Sequence, residues 1–212
     1  MQYLRESHLP YPQPWEWVKD NIIFNDIDLF YVDIGANDGI TASNTAHFDL
    51  NLGWNGICIE PHPWAFGKLE INRQKSTNLN LCILESEDFV DFLVINGYSE
   101  MLSGIQKCYH QNHLERIERE LKTHGGTKEI VKIKSKPLSK IFNEYNVKKV
   151  DYLSIDTEGS EYEILNSINF DEVDIRVIST ENSSQKDIKQ FLEDKGYFFA
   201  EVVCNDEIYY KK

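Results

Sequence analysis

The sequence predicts an α/β domain in which helices cover both faces of a mostly parallel sheet of seven strands. Short apolar runs alternate along the chain with segments of helical length, which is typical of a doubly wound sheet. Strands are predicted near residues 29–34, 55–60, 79–84, 151–156 and 174–181, and helices near 41–52, 63–73, 138–146, 160–168 and 184–195. The chain then departs from this alternation. Tyr197 to Val203, a turn at Asn205–Asp206 and Glu207 to Tyr210 predict an antiparallel hairpin that closes the sheet.

The composition limits the classes of protein that the chain can represent. Its 212 residues fit one domain over residues 1–212, and they carry 35 Asp and Glu against 22 Lys and Arg, a net charge of -13. This excess of acid argues against nucleic acid as a partner, because phosphate binding needs clustered Lys and Arg. The lysine-rich stretch from Lys128 to Lys140 alternates with apolar residues and predicts the solvent face of a strand.

The cysteines and the apolar runs bear on location. Cys58 and Cys82 fall inside strand-like runs, and the four cysteines lack metal-type or CxxC spacing, so we expect free thiols in a reducing compartment. Met1 to Pro14 is polar and contains proline, unlike a signal peptide, and no apolar run is long enough to span a membrane. We therefore expect a soluble, cytoplasmic protein that is not inserted in a membrane.

Two segments lie outside the regular alternation of strands and helices. Residues 1–28 are predicted to form an N-terminal cap, with a short amphipathic helix near Trp15 to Asn25. Residues 85–137 form an excursion between the third and fourth strands, with an edge strand at Phe89 to Ile95 and a helix at His113 to Thr123. Insertions of this length are often lids or substrate loops, although the first part of the excursion could equally be a plain edge hairpin.

The segment from Tyr31 to Gly39 is an apolar strand followed by a short acidic turn with glycine at both ends. A turn of this kind between a strand and a helix places backbone N–H groups around a small ligand. A dinucleotide would favour a third glycine and no nearby carboxylates, whereas Asp33 and Asp38 suit a cationic ligand. S-adenosylmethionine, with its ammonium and sulfonium, fits this description. The predicted cofactor contacts in this turn are Asp33, Gly35, Ala36, Asn37 and Gly39.

Two further acidic positions follow the second and third predicted strands. Glu60 lies 25 positions after Gly35, at a strand end, where a carboxylate can accept both ribose hydroxyls of a nucleoside. Alternatively, Glu60 only marks the entry to the helix after Pro61, which is itself a candidate cofactor contact. Glu85 and Ser86 follow the third strand, and we predict that they hold the adenine ring, although acidic turns after strands are common.

A second cluster extends from Asp151 to Glu161. Asp156 ends a buried strand, so its carboxylate should point into the crevice above the sheet, and Glu158 lies on the following turn, where it can face a substrate. Both are candidate catalytic residues, and Asp156 is also a candidate cofactor contact. Glu161 begins the next helix, where a negative charge is favourable in any case.

The fifth predicted strand ends in Glu181 and Asn182, next to Asp156 in the same crevice. Glu181 is a further candidate catalytic residue. Two carboxylates and an amide oxygen suit Mg²⁺ or Mn²⁺, so Asp156, Glu181 and Asn182 are candidate metal ligands. Such an ion could lower the pKa of a substrate hydroxyl. Alternatively, Asn182 caps the next helix and Glu181 only contacts the substrate.

Histidines are candidate bases, with His124 best placed beside Gly125–Gly126 and with His110 and His113 in the same excursion. The chain has no G-x-S-x-G, Walker A or H-E-x-x-H motif, so hydrolase, NTPase and zincin functions have no support.

Four segments resemble motifs of the FkbM-type S-adenosylmethionine-dependent methyltransferases. They are Asp33–Gly39, Trp54–Pro61, Leu102–Gly104 and Asp151–Glu161, and they occur in the family's order between about Tyr31 and Asn182. The resemblance implies a Rossmann-like class I methyltransferase fold and O-methylation of a hydroxyl, commonly on a sugar or a polyketide. It also implies a division of roles: Asp33, Gly35, Asn37 and Glu60 would bind the methyl donor, and Asp156, Glu158 and Glu161 would lie at the reacting end. The acidic run Glu85–Asp88 departs from the small-residue turn that is usual in the family.

The function we expect is O-methylation of a sugar hydroxyl, in a glycan or a linked precursor, with a deoxyhexose such as rhamnose or fucose as a plausible acceptor. A glycosyltransferase is a candidate partner of the chain. Other hypotheses are an O-methyltransferase for a polyketide or another small molecule, a nicotinamide-dependent oxidoreductase on the same type of sheet, and a non-catalytic binding module.

Overall fold

A computed structural model describes residues 13–181 and 186–212 of the chain. The strands are β1 (Phe30–Ile34), β2 (Asn55–Ile59), β3 (Thr77–Leu79), β4 (Cys82–Ile83), β5 (Asp88–Asn96), β6 (Gly104–Ile105), β7 (Thr127–Lys136), β8 (Lys149–Ile155), β9 (Asp174–Glu181), β10 (Phe198–Val203) and β11 (Asp206–Tyr210). The helices are α1 (Pro14–Asn21), α2 (Ala46–Leu50), α3 (Pro63–Asn72), α4 (Gln111–His124), α5 (Leu138–Glu144), α6 (Glu161–Asn166) and α7 (Ile188–Asp194).

The main sheet has seven strands in the order β10-β11-β9-β8-β1-β2-β3. The five strands from β9 to β3 are parallel to their neighbours, and β11 runs antiparallel to both β9 and β10. The predicted α/β fold is confirmed, including the C-terminal hairpin. Because β11 runs in the opposite direction, its first residue lies at the edge where the parallel strands end.

Helices cover both faces of the main sheet, because the strands carry apolar side chains on both sides. On one face, helices α5, α6 and α7 pack on Val32, Ile57, Leu153 and Ile178. On the other face, helices α1, α2 and α3 contribute Val18, Phe48 and Leu69 to a core that contains Tyr31, Cys58, Tyr152 and Ile208. The carboxyl edge of the sheet is left open between these layers.

The sequence predicted one continuous strand over residues 79–84. This prediction is wrong, because the segment is divided between β3 and β4. Strand β3 pairs with β2 in the main sheet, but β4 pairs with β7 in a second sheet. Asn80 lies between the two strands, and its side-chain amide donates to the carbonyl oxygens of Glu60 at 2.7 Å and Pro61 at 3.0 Å. These bonds hold the turn where the chain leaves one sheet for the other.

The excursion builds the second sheet, which has the order β4-β7-β5-β6. The predicted edge strand at Phe89 to Ile95 is an interior strand, because β5 pairs with both β7 and β6. Helix α4 agrees closely with the predicted helix and buries Ile117 against Leu93, Ile95 and Leu102. The lysine-rich stretch supplies β7, as predicted, and then continues into helix α5.

The N-terminal half of the chain shows two further differences. The helix predicted at 41–52 is reduced to α2, because Asp38 accepts hydrogen bonds from the N–H groups of Ile40 and Thr41 and holds a turn in its place. Helix α1 is shorter than predicted, and residues 1–12 of the predicted cap lie outside the described residues. Cys58 and Cys82 are buried free thiols, as predicted. In the described part of the chain, no helix has the length and apolar character needed to cross a membrane.

A fully buried arginine at the end of α3 holds the loop between β1 and α2. Arg73 donates to the carbonyl of Gly39 at 2.6 Å and to the Asp49 carboxylate at 2.9 Å. Its remaining N–H groups reach the hydroxyls of Ser43 and Thr45, both at 2.9 Å. A buried guanidinium is stable only when its donors are paired, so this network fixes the path of the loop.

Replacing Arg73 by leucine should lower the free energy of unfolding by about 3–5 kcal/mol, because the substitution leaves the buried Asp49 and Asp33 without their cation. Urea unfolding of Arg73→Leu measures the change. Arg119→Leu on the exposed face of α4 is the control and should change stability by less than about 0.5 kcal/mol. A loss below about 1 kcal/mol in Arg73→Leu would contradict this role of the network.

Candidate functional site

A cleft of about 800 Å³ lies at the carboxyl edge of the main sheet, and the second sheet forms its opposite wall. Six of the predicted site residues line it: Gly35, Asn37, Glu60, Pro61, Asp156 and Glu158. The first two follow β1, the next two follow β2, and the last two follow β8. A crevice at this edge is the usual ligand position in open α/β sheets.

Gly35 brings two of these strand ends into contact. Its φ is +86°, and a Cβ atom added there would lie 1.7 Å from the carbonyl oxygen of Asp156, so no other residue fits. The N–H groups of Gly35 and Ala36 both donate to the carbonyl of Ile59, at 2.9 and 3.1 Å. The N–H of Asn37 donates to Glu60. The expectation that these N–H groups bind the ligand is therefore wrong: they join β1 to β2 and give the turn its shape.

Glu60 is buried at the end of β2 and faces the cleft. Its two carboxylate oxygens accept hydrogen bonds from the N–H groups of Asn37 and His62, both at 2.7 Å. Burial raises the pKa of Glu60 to about 7, although these two hydrogen bonds act in the opposite direction. Each oxygen keeps a second lone pair, so the carboxylate can still accept from a ligand hydroxyl.

Three of the predicted cofactor contacts in the turn lie away from the cleft. Asp33 points into the Arg73 network, where it accepts from the hydroxyls of Ser43 at 3.2 Å and Thr45 at 2.5 Å. Burial raises the pKa of Asp33 despite the nearby Arg73. Ala36 packs in the core beside α2, and Gly39 contacts α3. These residues support the turn, and none of them lines the cleft.

Glu85 and Ser86 also lie outside the cleft. Glu85 is exposed and accepts from the Asn166 side chain, and the Ser86 carbonyl accepts from Ser135. The wall beyond Glu60 is instead apolar. The chain turns at Asn80, and the three residues that follow, Leu81 to Ile83, line the cleft. That wall is formed by Leu81, Cys82, Ile83, Phe92, Ile105 and Ile164.

Carboxylates from three adjacent strands lie near one another at the carboxyl edge of the sheet, and one of them, Asp156, lines the cleft. Asp156 follows β8, Glu181 ends β9, and Asp206, which begins β11, is the register partner of Glu181. The Asp156 side chain is open to the cleft, but the surrounding protein removes bulk water, and this burial together with Asp206 and Glu181 raises its pKa well above the usual range. Burial and neighbouring carboxylates raise the pKa of Glu181 to about 7 and that of Asp206 to about 6.

Glu158 belongs to the same group of negative side chains. Burial and the Asp156 carboxylate raise its pKa to about 7, whereas Arg116 lowers it. Glu161 has a different role in the same turn. It is fully buried, and one carboxylate oxygen accepts from the N–H groups of Thr157 at 3.3 Å and Gly159 at 2.9 Å. Glu161 therefore braces the turn that carries Glu158.

Two residues of helix α4 reach Glu158. His113 Nδ1 lies 3.4 Å and Arg116 Nη1 4.0 Å from the Glu158 carboxylate. The histidine that the sequence favoured, His124, lies at the far end of the helix, 3.5 Å from Glu120. Sequence reasoning missed Arg116 and Asp206. The helical spacing of His113 and Arg116 was a usable signal, since residues three apart share a helix face.

Two of the three predicted metal ligands, Asp156 and Glu181, lie among the described residues. Across residues 13–181 and 186–212, no three His, Cys, Asp or Glu side chains are grouped as a metal ion requires. Asp156 and Glu181 are neighbours at the sheet edge, but the third proposed ligand, Asn182, lies outside the described residues.

Comparison with known structures supports the fold. A methyltransferase FkbM from Methylobacillus flagellatus KT shares 12% identity with a TM-score of 0.56, over 95% of this chain and 48% of that one. This chain thus spans about half the length of that relative. The human methyltransferase 10 domain containing protein gives 14% identity and a TM-score of 0.47, over 93% and 79% of the two chains. TrmK from M. capricolum, in complex with S-adenosyl-homocysteine, shares 10% sequence identity with a TM-score of 0.45, over 92% of this chain and 65% of that chain.

Comparison with curated proteins found no significant match. The sequence model of the methyltransferase FkbM domain, however, matches residues 33–199. The matched range begins within β1 and includes every residue that lines the cleft, together with Glu181, and it covers well over half of the chain. This match decides against the nicotinamide-dependent hypothesis. The chain belongs to the FkbM methyltransferase family, whose methyl donor is S-adenosylmethionine.

Proposed function

We propose that the chain is an S-adenosylmethionine-dependent O-methyltransferase that acts on a sugar hydroxyl in a glycan, with a deoxyhexose such as rhamnose or fucose as acceptor. The observation that carries the proposal is the division of the cleft. One end has the buried Glu60 carboxylate beside an apolar wall, and the other end has Asp156 and Glu158, whose pKa values are raised by burial and by neighbouring carboxylates.

The first end suits the nucleoside of the donor. Glu60 offers two oxygens to the ribose hydroxyls, and its geometry is fixed by the N–H groups of Asn37 and His62. The apolar wall that contains Leu81, Cys82, Ile83 and Phe92 suits a flat adenine ring. The hypothesis that Glu85 and Ser86 hold the adenine gains no support from their position outside the cleft.

The second end suits a positive charge. Burial disfavours ionisation of these carboxylates, neighbouring negative charges add to that cost, and both effects raise their pKa values. A cation between them offsets part of the cost, and the sulfonium of the donor is such a cation. When bound, the donor supplies a methyl group: its C–S bond breaks as the acceptor oxygen bonds to the methyl carbon, giving S-adenosylhomocysteine, a methyl ether and one proton.

The residues at this end have two tasks. Asp156, beside Gly35, would accept the hydrogen bond of the reacting hydroxyl and hold its oxygen in line with the methyl group. Glu158 and Glu181 are positioned to accept the released proton or to bind neighbouring hydroxyls. A wall of carboxylates that accept hydrogen bonds fits a neutral acceptor with several hydroxyls, and it repels an acceptor that carries phosphate.

A divalent ion remains part of the proposal. Asp156 and Glu181 are hard oxygen ligands of the type that Mg²⁺ or Mn²⁺ prefers, and Asn182 would be the third. In that arrangement the ion would lower the pKa of the acceptor hydroxyl. We also propose a cytoplasmic setting beside a glycosyltransferase. The described cysteines are all free thiols, which suits a reducing compartment.

Incubation with isotope-labelled S-adenosylmethionine and a panel of deoxy and ordinary methyl hexosides tests the acceptor class. Mass spectrometry should detect a labelled methyl ether with at least one hexoside, and EDTA should abolish its formation until Mg²⁺ or Mn²⁺ is added. Labelling of polyketide or phenolic controls alone would contradict the sugar acceptor. Full activity in EDTA would contradict the metal.

Replacing Asp156 by asparagine should reduce turnover by about 100-fold or more, because the amide cannot hold the reacting hydroxyl as the carboxylate does. The affinity for S-adenosylhomocysteine, measured by calorimetry, should change little, since the nucleoside contacts lie at Glu60. Asp194→Asn on α7, outside the cleft, is the control. Wild-type turnover in Asp156→Asn would refute the role given to Asp156.

Affinity for S-adenosylhomocysteine should depend on pH through Glu60. Only the ionised carboxylate can accept both ribose hydroxyls, and its pKa in the free protein is about 7. Affinity should therefore rise by about tenfold between pH 6 and pH 8 and level off above that range. Calorimetric titration at several pH values measures this. Glu60→Gln should bind more weakly and with a flatter pH dependence, and an unchanged profile in that variant would contradict the assignment.

A further inference from the structure

Helix α4 is fixed to the second sheet at the side of the cleft that faces Glu158. Ile117 is fully buried between Leu93, Ile95 and Leu102, and Leu121 packs on the same cluster. The helix is therefore held firmly on the second sheet, and the residues in its first two turns keep a constant position relative to that sheet.

The ring of His113, in the first turn of this helix, is held on two sides. It stacks on Tyr109 with 4.5 Å between the ring centroids, and its Nε2 lies 3.3 Å from the carbonyl oxygen of Leu102. A carbonyl oxygen only accepts, so this contact is a hydrogen bond when Nε2 carries the proton. The other ring nitrogen, Nδ1, then faces the Glu158 carboxylate at 3.4 Å.

Glu158 itself is held in an uncommon backbone conformation. Its φ is +57°, in the left-handed region that costs a non-glycine residue of order 1–3 kcal/mol. The next residue, Gly159, packs against the inserted segment, where an added Cβ would lie 3.0 Å from the carbonyl oxygen of Cys108. The turn and the inserted segment thus fit against each other, and the strained conformation directs Glu158 between the cleft and His113.

The charged groups around Glu158 come from several elements. Asp156, Glu161 and Glu181 are negative neighbours from the main sheet and α6, and Tyr109 faces it from the inserted segment. Arg116 is the cation on the α4 side. Repulsion from the three carboxylates pushes Glu158 away from the sheet, and His113 and Arg116 offer it polar partners on the opposite side.

We propose that His113 is a positioning residue for Glu158 and that helix α4 thereby forms the acceptor wall of the site. The inference rests on the proposed function, in which Glu158 takes part on the acceptor side. In that reaction His113 holds the Glu158 carboxylate toward the acceptor. His113 itself does not touch the methyl donor.

Two near-isosteric variants separate the two contacts of the ring. In His113→Asn the side-chain amide stands near the position of Nδ1 and can still form a hydrogen bond with Glu158. In His113→Gln the amide stands near Nε2 and reaches only the Leu102 carbonyl. With labelled S-adenosylmethionine and methyl α-L-rhamnopyranoside or methyl α-L-fucopyranoside, His113→Gln should lower kcat by about tenfold or more, and His113→Asn by no more than about threefold.

The same chain provides a matched control. His124 also stacks on a tyrosine, Tyr98 at 4.3 Å, and lies 3.5 Å from a glutamate, Glu120, but at the far end of α4. His124→Asn and His124→Gln should leave kcat unchanged. Affinity for S-adenosylhomocysteine should stay within about twofold of the wild type in all four variants, because none of them alters the nucleoside end of the cleft. Equal losses of kcat in His113→Asn and His113→Gln would overturn the proposal.

Long-range ¹H–¹⁵N NMR of the imidazole rings gives a second readout that needs no acceptor. We expect the His113 ring to carry its proton on Nε2, and Glu158→Gln to shift its Nδ1 signal while the His124 signals stay in place. A His113 ring that does not respond to Glu158→Gln would overturn the positioning role. If no hexoside is methylated, the sugar acceptor is wrong, and this spectrum still decides the role of His113.

Discussion

The contact between Gly35 and the carbonyl oxygen of Asp156 is the constraint on which the site depends. It brings the end of β1 against the end of β8, and so joins the half of the cleft that contains Glu60 to the half that contains the carboxylate group. The contact needs a glycine and also a loop of fixed path. The buried Arg73 guanidinium fixes the path of this loop by donating hydrogen bonds to the carbonyl of Gly39 and to the hydroxyls of Ser43 and Thr45.

The electrostatics of the cleft follow from this geometry. Three adjacent strands bring Asp156, Glu181 and Asp206 to one edge, and the turn after β8 adds Glu158. Their pKa values rise because burial and mutual repulsion disfavour ionisation. Such an arrangement costs stability in the ligand-free protein, and perturbed carboxylates of this kind are typical of functional sites. A positively charged donor that binds there recovers part of that cost.

Much of the fold could be predicted from the sequence, because strand length, apolar runs and turn residues are local signals. The strands β1, β2, β8 and β9 and the C-terminal hairpin follow from such signals, and so does the position of Glu60 at a strand end. The break between β3 and β4 could not be predicted, since it depends on hydrogen bonds from Asn80 to carbonyl groups some twenty residues away in the chain.

Side-chain direction was the other limit of sequence reasoning. Asp33 lies in the expected turn, but its carboxylate points to an arginine forty residues later, and no local pattern indicates that pairing. Asp206 comes to the same sheet edge as Glu181 only because β11 runs antiparallel to β9. His113 reaches Glu158 only because α4 packs on a second sheet that the sequence did not predict as a unit.

The account as a whole requires the methyl donor to lie along the carboxyl edge, with its nucleoside at Glu60 and its sulfur toward Asp156. A crystal structure of the complex with S-adenosylhomocysteine tests this most directly. The account predicts both ribose hydroxyls within hydrogen-bond distance of the Glu60 carboxylate and the sulfur atom beside Asp156 and Gly35. A complex in which the nucleoside lies elsewhere, with Glu60 contacting only the N–H groups of Asn37 and His62, would contradict it.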